Sequence, residues 1–411
     1  MVPAERESLG PVLADMLAVC HRLAPREVPG LVAQAGRRLG LSEARVYIAD
    51  LQQHDLVALP TPEQAQRLTA AGSAAPDLET LPIDNSLAGH AYRTETPQLG
   101  RPGTDDNGRT GWLPVVDGIG RMGVLRIAAP ELDPALLKHC EALASLVAMM
   151  LATKQPYSDV LARTTRSRPM SLQAELLWAF LPPRTIGTDA VTSSAMLEPA
   201  YEVGGDAYDH NLAGSLLHLT LLDAMGHDLA SGGSSAAAMA ACRSTRRAGG
   251  GLQDIAEQID RTLTRWIPER LLTCVIADLD HASGRLHWVN CGHPHPLLIR
   301  DRRIVTGALE RTPHLPLGLS GYDASPPPVH TAQLQPGDRL LFFTDGVTEA
   351  RAADGELFGE QRLADTVVRA MADGLPAPEA LRRLIQQITV HQGQRLHDDA
   401  TILLTEWHPP R

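Results

Sequence analysis

Four short acidic motifs lie far apart from residue 202 onward in this 411-residue chain, and their residue types suit the binding of a metal ion. They are segments 202–209, 222–227, 343–346 and 397–401, with the sequences EVGGDAYD, LDAMGH, FTDG and HDDAT. Asp223 and Asp345 each end an apolar run that is typical of a buried strand. Because an unpaired buried carboxylate is very costly, and several of them repel one another, we expect a cation to hold them together.

Carboxylates from different strands and loops supply the hard oxygen ligands that Mg²⁺ and Mn²⁺ prefer. We expect Asp223 and Asp345 to lie on adjacent strands, and two further aspartates to reach them from loops. One bridging carboxylate would hold two ions roughly 4 Å apart, and the water between them would lose its proton near neutral pH and attack phosphorus. Each motif alone has an ordinary interpretation as a turn or a solvated loop, but their joint occurrence favours a metal-dependent hydrolase.

The composition narrows the class of protein. An apolar fraction of 44% allows buried cores, and the length allows two or three domains. A net charge of −11 argues against nucleic acid and against an anionic membrane surface as partners. The five cysteines form no CxxC pair, and we find neither a signal peptide nor an apolar run long enough to span a membrane, so we expect a cytoplasmic protein.

Residues 1–154 have the pattern of a mixed α/β domain. Helical spacing is predicted for 1–23, 31–39, 87–92 and 134–154, and strands for 44–50, 55–59, 112–116 and 122–128. This order, with the strings GRRLGLSEARVYIAD, SLAGHAYRTETPQ and GVLRIAAPELD, resembles a GAF sensory domain. The resemblance implies a regulatory domain that binds a small molecule or serves for dimerisation, although no residue in it marks a ligand.

The remaining chain is predicted to be a helical linker, 155–183, followed by a domain at 184–411. The linker is either a plain tether or a parallel coiled coil between two copies of the chain. In the last domain, many strands with helices grouped between them predict an α+β fold, a β-sandwich flanked by helices.

Residues 170–405 resemble the PP2C-type serine phosphatases of the SpoIIE/RsbU group, bacterial regulators of anti-sigma-factor pathways. The strings that carry the resemblance occur in the family's order: LQAELLWAFLPP, YEVGGDAYD, LLDAMGHDLAS, LLTCVIADLD, NCGHPHPLLI, LFFTDGVTEARAADGELFG and HDDATILL. The resemblance implies a metal-dependent protein serine/threonine phosphatase with two Mn²⁺ or Mg²⁺ ions. Its substrate would be a phosphorylated anti-sigma-factor antagonist of the STAS type, and we expect a homodimer formed through the N-terminal domain and linker.

The resemblance also implies roles for individual residues. Asp206 would bind one metal, Asp223 would bridge both with help from the backbone carbonyl of Ala224, and Asp345 and Asp398 would hold the second. Asp209 and Asp399 are expected to be outer acids that orient waters or a ligand's backbone. The chain departs from the family where Asp228 replaces a glycine after the Gly-His pair, which adds a charge near the site.

Several of these motifs also have a second interpretation. His227 could protonate a leaving group, but a histidine bonded to backbone at a helix start is favoured; His293 and His295 could bind zinc, but a structural hairpin is favoured. The Gly-Gly-Asp and His-Asp strings lack the neighbours that diguanylate cyclases and HD phosphodiesterases need. The remaining rival is an inactive adaptor that binds a signalling partner without turnover.

Overall fold

A computed structural model describes residues 6–70, 77–100, 108–319, 325–393 and 396–408. Its contacts divide the chain into two compact units, Met1–Arg168 and Pro169–Arg411. The division point lies inside the predicted linker 155–183, while the assignment of that segment as a tether or coiled coil stays a prediction. Residues 1–5 of the first predicted helix lie outside the described residues.

The N-terminal unit is a six-stranded antiparallel sheet with helices on its faces. Its strands are β1 Glu43–Ala49, β2 Asp55–Ala58, β3 Thr80–Pro82, β4 Gln98–Leu99, β5 Arg109–Asp117 and β6 Gly120–Ala129, in the spatial order β3-β2-β1-β6-β5-β4. Its helices are α1 Leu9–Cys20, α2 Val28–Arg38, α3 Pro62–Thr69, α4 Leu87–Thr94, α5 Pro134–Lys154 and α6 Asp159–Thr165, with short 3₁₀ turns at Pro25–Glu27 and Gln155–Tyr157. The predicted helices and strands of this unit are present, whereas its GAF-like identity stays a prediction.

Helix α5 is long and apolar, and it forms part of the N-terminal unit's core. Asp133 caps it by accepting a hydrogen bond from the backbone N–H of Leu136 at 2.8 Å. Among the described residues, 134–157 is the one helical stretch long and apolar enough to cross a membrane. Half of its most apolar segment is buried within the protein. A buried core helix can have the same length and composition, so the expectation that no run spans a membrane stays a prediction.

The C-terminal unit contains two antiparallel sheets. Its strands are β7 Thr185–Gly187, β8 Val191–Glu198, β9 Asp206–Ala213, β10 Leu216–Ala224, β11 Leu272–Asp280, β12 Arg285–Cys291, β13 Leu297–Arg300, β14 Arg303–Ile304, β15 His330–Gln333, β16 Arg339–Phe343 and β17 Ala400–Trp407. Its helices are α7 Leu172–Phe180, α8 Leu229–Arg247, α9 Leu252–Trp266, α10 Asp345–Thr348, α11 Gly359–Ala372 and α12 Ala377–His391. The five-stranded sheet has the order β15-β12-β11-β10-β9, and the six-stranded sheet has the order β14-β13-β16-β17-β8-β7.

Alternation along the strands explains the layering of this unit. In β10, Leu217, Leu219 and Leu221 share one face, while His218 and Thr220 share the other. The first face packs in one core cluster with residues of the second sheet such as Leu403. Helices α8 and α9 contact the five-stranded sheet, and α12 contacts β8 and β17 of the other. The α+β sandwich flanked by helices is thus confirmed for this unit.

Candidate metal centre

Two of the predicted ligands lie side by side at one end of the five-stranded sheet. Asp206 is the first residue of β9, and it is directly opposite Asp223, the penultimate residue of β10. Cross-strand neighbours on one face have Cβ atoms about 5 Å apart, so the two carboxylates share that end of the inner face. Asp206 therefore comes from a strand and not from the loop that the sequence predicted.

The other two predicted ligands belong to the six-stranded sheet. Asp345 lies two residues after the end of β16, as the first residue of α10, and Asp398 lies two residues before β17. The backbone N–H of Thr344 donates to the carbonyl of Thr401 at 3.0 Å, which brings these two segments together. The expectation that Asp223 and Asp345 occupy adjacent strands was wrong, because their strands belong to opposite sheets of the sandwich.

Asp206 joins the two sheets. Its Oδ2 accepts hydrogen bonds from the hydroxyls of Thr344, at 2.8 Å, and Thr401, at 2.6 Å. All three residues are almost completely buried. The first acidic pair is thereby fixed against the strand ends that carry the second pair, so all four predicted aspartates are brought to one end of the sandwich.

Asp399 holds the backbone of the Gly-Gly-Asp loop. Its Oδ2 accepts from the backbone N–H groups of Gly204 at 2.8 Å, Gly205 at 2.8 Å and Asp206 at 3.1 Å. Successive N–H groups that converge on one anion form a nest. This contact agrees with the expectation that Asp399 orients a ligand's backbone.

Two glycines allow these segments to approach closely. A Cβ atom on Gly205 would lie 2.3 Å from the carbonyl oxygen of Ala224, and one on Gly346 would lie 2.0 Å from the carbonyl oxygen of Asp399. Both distances are far below van der Waals contact, so each position requires glycine. The Ala224 carbonyl, predicted as a metal ligand, consequently lies against the loop that precedes Asp206.

The carboxylates raise one another's pKa. Burial, followed by the charges of Asp345, Asp398 and Asp399, raises the pKa of Asp223 to about 7. Burial and the charges of Asp223 and Asp399 raise the pKa of Asp206 well above its usual value. Burial and then the charge of Asp398 raise the pKa of Asp345. The site therefore concentrates negative charge that the metal-free protein tolerates poorly.

The donor set fits a hard divalent cation. It offers carboxylate and carbonyl oxygens alone, the ligands that Mg²⁺ and Mn²⁺ bind. In the part of the chain that the structure describes, no three of the acidic, histidine or cysteine side chains are drawn together tightly enough to enclose an ion. A cation bound among these carboxylates would relieve their mutual repulsion.

One acidic residue of the motifs, Asp209, lies outside the acidic centre. Asp209 forms ion pairs with Arg243 at 2.6 Å and Arg246 at 2.9 Å. Burial alone would raise its pKa, but these arginines lower it below the usual value. Since Asp209 lies three residues along β9 from Asp206, it points to the opposite face, toward α8. The expected role of Asp209 as an outer acid of the metal centre was therefore wrong.

The histidines of the motifs differ in their settings. His227 is exposed, immediately before the residue that caps α8, and no side-chain hydrogen bond to backbone is found for it within the described residues. His293 is buried in the loop between β12 and β13. Its Nδ1 shares a 2.9 Å hydrogen bond with the hydroxyl of Thr273 in β11. Burial lowers the pKa of His293 to about 3, so it is neutral. His295 is half-buried in the same loop.

The sequence interpretation missed the residues that orient the aspartates. These are Thr344 and Thr401, and also Ser231 and Ser235 of α8, whose hydroxyls donate to the carbonyls of Gly204 and Gly205. For the threonines a signal was available, because each is a polar residue at the end of an apolar strand beside a motif aspartate. For Ser231 and Ser235 no such signal was present in the sequence, since serine residues occur in many helices without a functional role.

Comparisons with known proteins found a family model, a curated relative and solved structures that are similar to this chain. A family model for stage II sporulation protein E (SpoIIE) matches residues 213–408. Protein IcfG from Synechocystis sp. is 29% identical over 126 residues, which are 30% of this chain and 19% of that protein. The chain thus spans about a fifth of this curated relative.

Solved structures resemble the chain over about half its length. The RsbU and RsbW domains of Rv1364c from Mycobacterium tuberculosis are 24% identical with a TM-score of 0.47, covering 54% of this chain and 62% of that one. The SiaA-PP2C domain of Pseudomonas aeruginosa is 19% identical with a TM-score of 0.49, covering 57% and 94%. From the family match and the motifs within it, residues 213–408 are a PP2C-type phosphatase domain of the SpoIIE family.

Proposed function

We propose that this chain is a metal-dependent protein phosphatase that hydrolyses phosphoserine or phosphothreonine on a regulatory protein. The observation that carries the proposal is the meeting of Asp206, Asp223, Asp345 and Asp398 at one end of the sandwich, from two different sheets. The SpoIIE family match to the same domain supports it. By the resemblance given above, the substrate would be a STAS-type anti-sigma-factor antagonist, and the N-terminal unit would be a GAF-like regulator.

Each predicted ligand would bind a particular one of the two cations or bridge both. Asp206 would bind one ion and Asp223 would bridge two, with the Ala224 carbonyl as a further oxygen ligand. Asp345 and Asp398 would hold the second ion. Divalent ions bound there would supply Lewis acidity and lower the pKa of water.

The surrounding residues keep these ligands in place. Thr344 and Thr401 fix one oxygen of Asp206, and Asp399 holds the loop backbone. Such outer contacts determine how well the ligands are oriented, and their loss typically weakens metal binding or activity 10–100-fold.

The test measures hydrolysis of p-nitrophenyl phosphate and of a phosphoserine peptide with and without Mn²⁺. We expect metal-dependent turnover, and we expect Asp223→Asn to reduce it at least about 10³-fold, because loss of the bridging carboxylate removes both ion sites. Asp280→Asn is the matched control, since Asp280 lies at the other end of the same sheet, opposite Leu216. It should retain full activity.

The second candidate function, an inactive adaptor, makes the opposite prediction. Folded protein, shown by circular dichroism, would then give no metal-dependent rate on either substrate.

The thermal stability of the protein gives a second test, which is independent of turnover. Because the charged form of Asp223 is disfavoured in the metal-free fold, Asp223→Asn should unfold at an equal or higher temperature in chelator, and Mn²⁺ should stabilise it less than it stabilises the wild type.

A further inference from the structure

Arg270 lies over the loop that follows the acidic centre. In the pairing of β10 with β11, Asp223 is opposite Thr273 and Ala224 is opposite Leu272. The chain then continues this pairing, because the backbone N–H of Met225 donates to the carbonyl of Leu271 at 3.0 Å. Arg270 is therefore brought beside the first residues after the predicted metal ligands.

The guanidinium of Arg270 is held in this position from two sides. Nη1 donates to the carbonyl of Met225 at 3.3 Å, and Nη2 donates to Oδ2 of Asp228 at 3.0 Å. The other oxygen of Asp228 caps α8 by accepting from the backbone N–H of Ser231 at 2.9 Å. Asp228, the residue that departs from the family pattern, thus ties the arginine to the start of α8.

The pair of Arg270 and Asp228 is open to solvent. Their side chains are 28% and 58% exposed. The two described bonds use two of the guanidinium's five N–H groups, so donors remain for a ligand. The arrangement places a fixed cation beside the loop that directly follows Asp223 and Ala224.

We infer that Arg270 is a further substrate-binding residue that binds the phosphate group of the phosphoserine or phosphothreonine substrate, an inference that rests on the proposed function. The aspartates of the centre, Asp206, Asp223, Asp345, Asp398 and Asp399, repel a phosphate dianion that approaches them. Without a nearby cationic side chain, the metal ions alone would have to offset this repulsion. A guanidinium opposes that repulsion, and its planar fork matches two phosphate oxygens. Asp228 holds the guanidinium in place and partly offsets its charge.

The test compares steady-state kinetics of four full-length variants on a phosphoserine peptide with Mn²⁺. Arg270→Ala should raise KM about 10–100-fold and weaken inhibition by inorganic phosphate similarly, with kcat within about threefold, because one charge-assisted contact is lost. Arg270→Lys should show an intermediate KM, since it keeps the charge without the fork. Asp228→Asn keeps a helix cap and unmasks the arginine, so its KM should stay equal or fall. Arg285→Ala, an exposed arginine at the far end of the same sheet, is the control and should change neither constant.

A purely structural role for Arg270 gives a different result. It would lower kcat and raise the Mn²⁺ requirement of Arg270→Ala, with KM and phosphate inhibition unchanged, and that pattern overturns the inference. Should the alanine variant fail to fold, a wild-type KM in folded Arg270→Lys overturns it as well. Wild-type protein without Mn²⁺-dependent turnover overturns the proposed function itself, whereas active wild type with an unaltered Arg270→Ala overturns only the role of Arg270.

Discussion

At the residue scale, the orientation of Asp206 depends on two hydroxyl groups from the opposite sheet. A buried carboxylate oxygen that accepts two hydrogen bonds is held in one rotamer, and each lost donor leaves part of its charge unsatisfied. Thr344 has a second task, because its Oγ1 also accepts from the backbone N–H of Thr401 at 3.0 Å. The hydroxyl of Thr401 bonds to Asp206, which makes Thr401 the cleaner position to test.

We predict that Thr401→Val raises the Mn²⁺ concentration for half-maximal activity about 10-fold or more, because Asp206 loses a donor while the side-chain shape is kept. Thr405→Val is a matched control on the same strand and face. Its hydroxyl is buried without a hydrogen-bond partner in the described ranges, so its removal should leave the Mn²⁺ titration unchanged. Equal titrations for both variants would contradict the orienting role of Thr401.

At the element scale, helix α8 connects a buried polar cluster to the loop of the metal centre. His218 of β10 shares a 2.7 Å hydrogen bond with Asp278 of β11 and lies 3.5 Å from the thiol of Cys242 of α8. Burial alone would lower the pKa of His218, but the hydrogen bond to Asp278 and the contact with Cys242 raise it to about 9. The histidine is therefore charged at neutral pH and pairs with Asp278 beneath the helix.

This pair predicts how stability depends on pH. Since the folded-state pKa of about 9 exceeds the ordinary value of 6.5, the stabilisation is fully present below pH 6.5 and is lost as the pH rises through 9. The loss should be on the order of 3 kcal/mol in the free energy of unfolding. Urea denaturation in chelator at pH 6.5 and 9.5 should show it for the wild type, and a smaller change for His218→Gln. Parallel pH profiles of the two proteins would contradict the assignment.

At the scale of the whole molecule, the two units have separate cores. The buried clusters of the N-terminal unit and those of the C-terminal unit share no residue. A unit with its own core can fold alone in principle. All the aspartates of the candidate centre, and Arg270, belong to the second unit.

We predict that a fragment of residues 169–411 folds and retains Mn²⁺-dependent hydrolysis with an unchanged Mn²⁺ requirement. Cooperative thermal unfolding and the peptide assay check this. A rate that differs between the fragment and the full chain would support regulation by the N-terminal unit, and equal rates would remove that regulatory hypothesis. An unfolded fragment would show that the second unit needs the first.

The sequence alone was sufficient to predict most elements, because apolar periodicity marks strands and helices. It also singled out the four aspartates that the fold brings to one end of the sandwich, because charged residues at the ends of apolar runs stand out. It also indicated the family of the C-terminal domain. Only the tertiary structure decided which strands are neighbours: Asp223 is opposite Asp206, while Asp345 lies in the other sheet. The reason is that strand pairing depends on contacts between residues distant in the chain, which no local pattern encodes. Tertiary packing also placed two arginines of α8 against Asp209, and the pairing of β10 with β11 brought Arg270 beside the loop that follows Ala224.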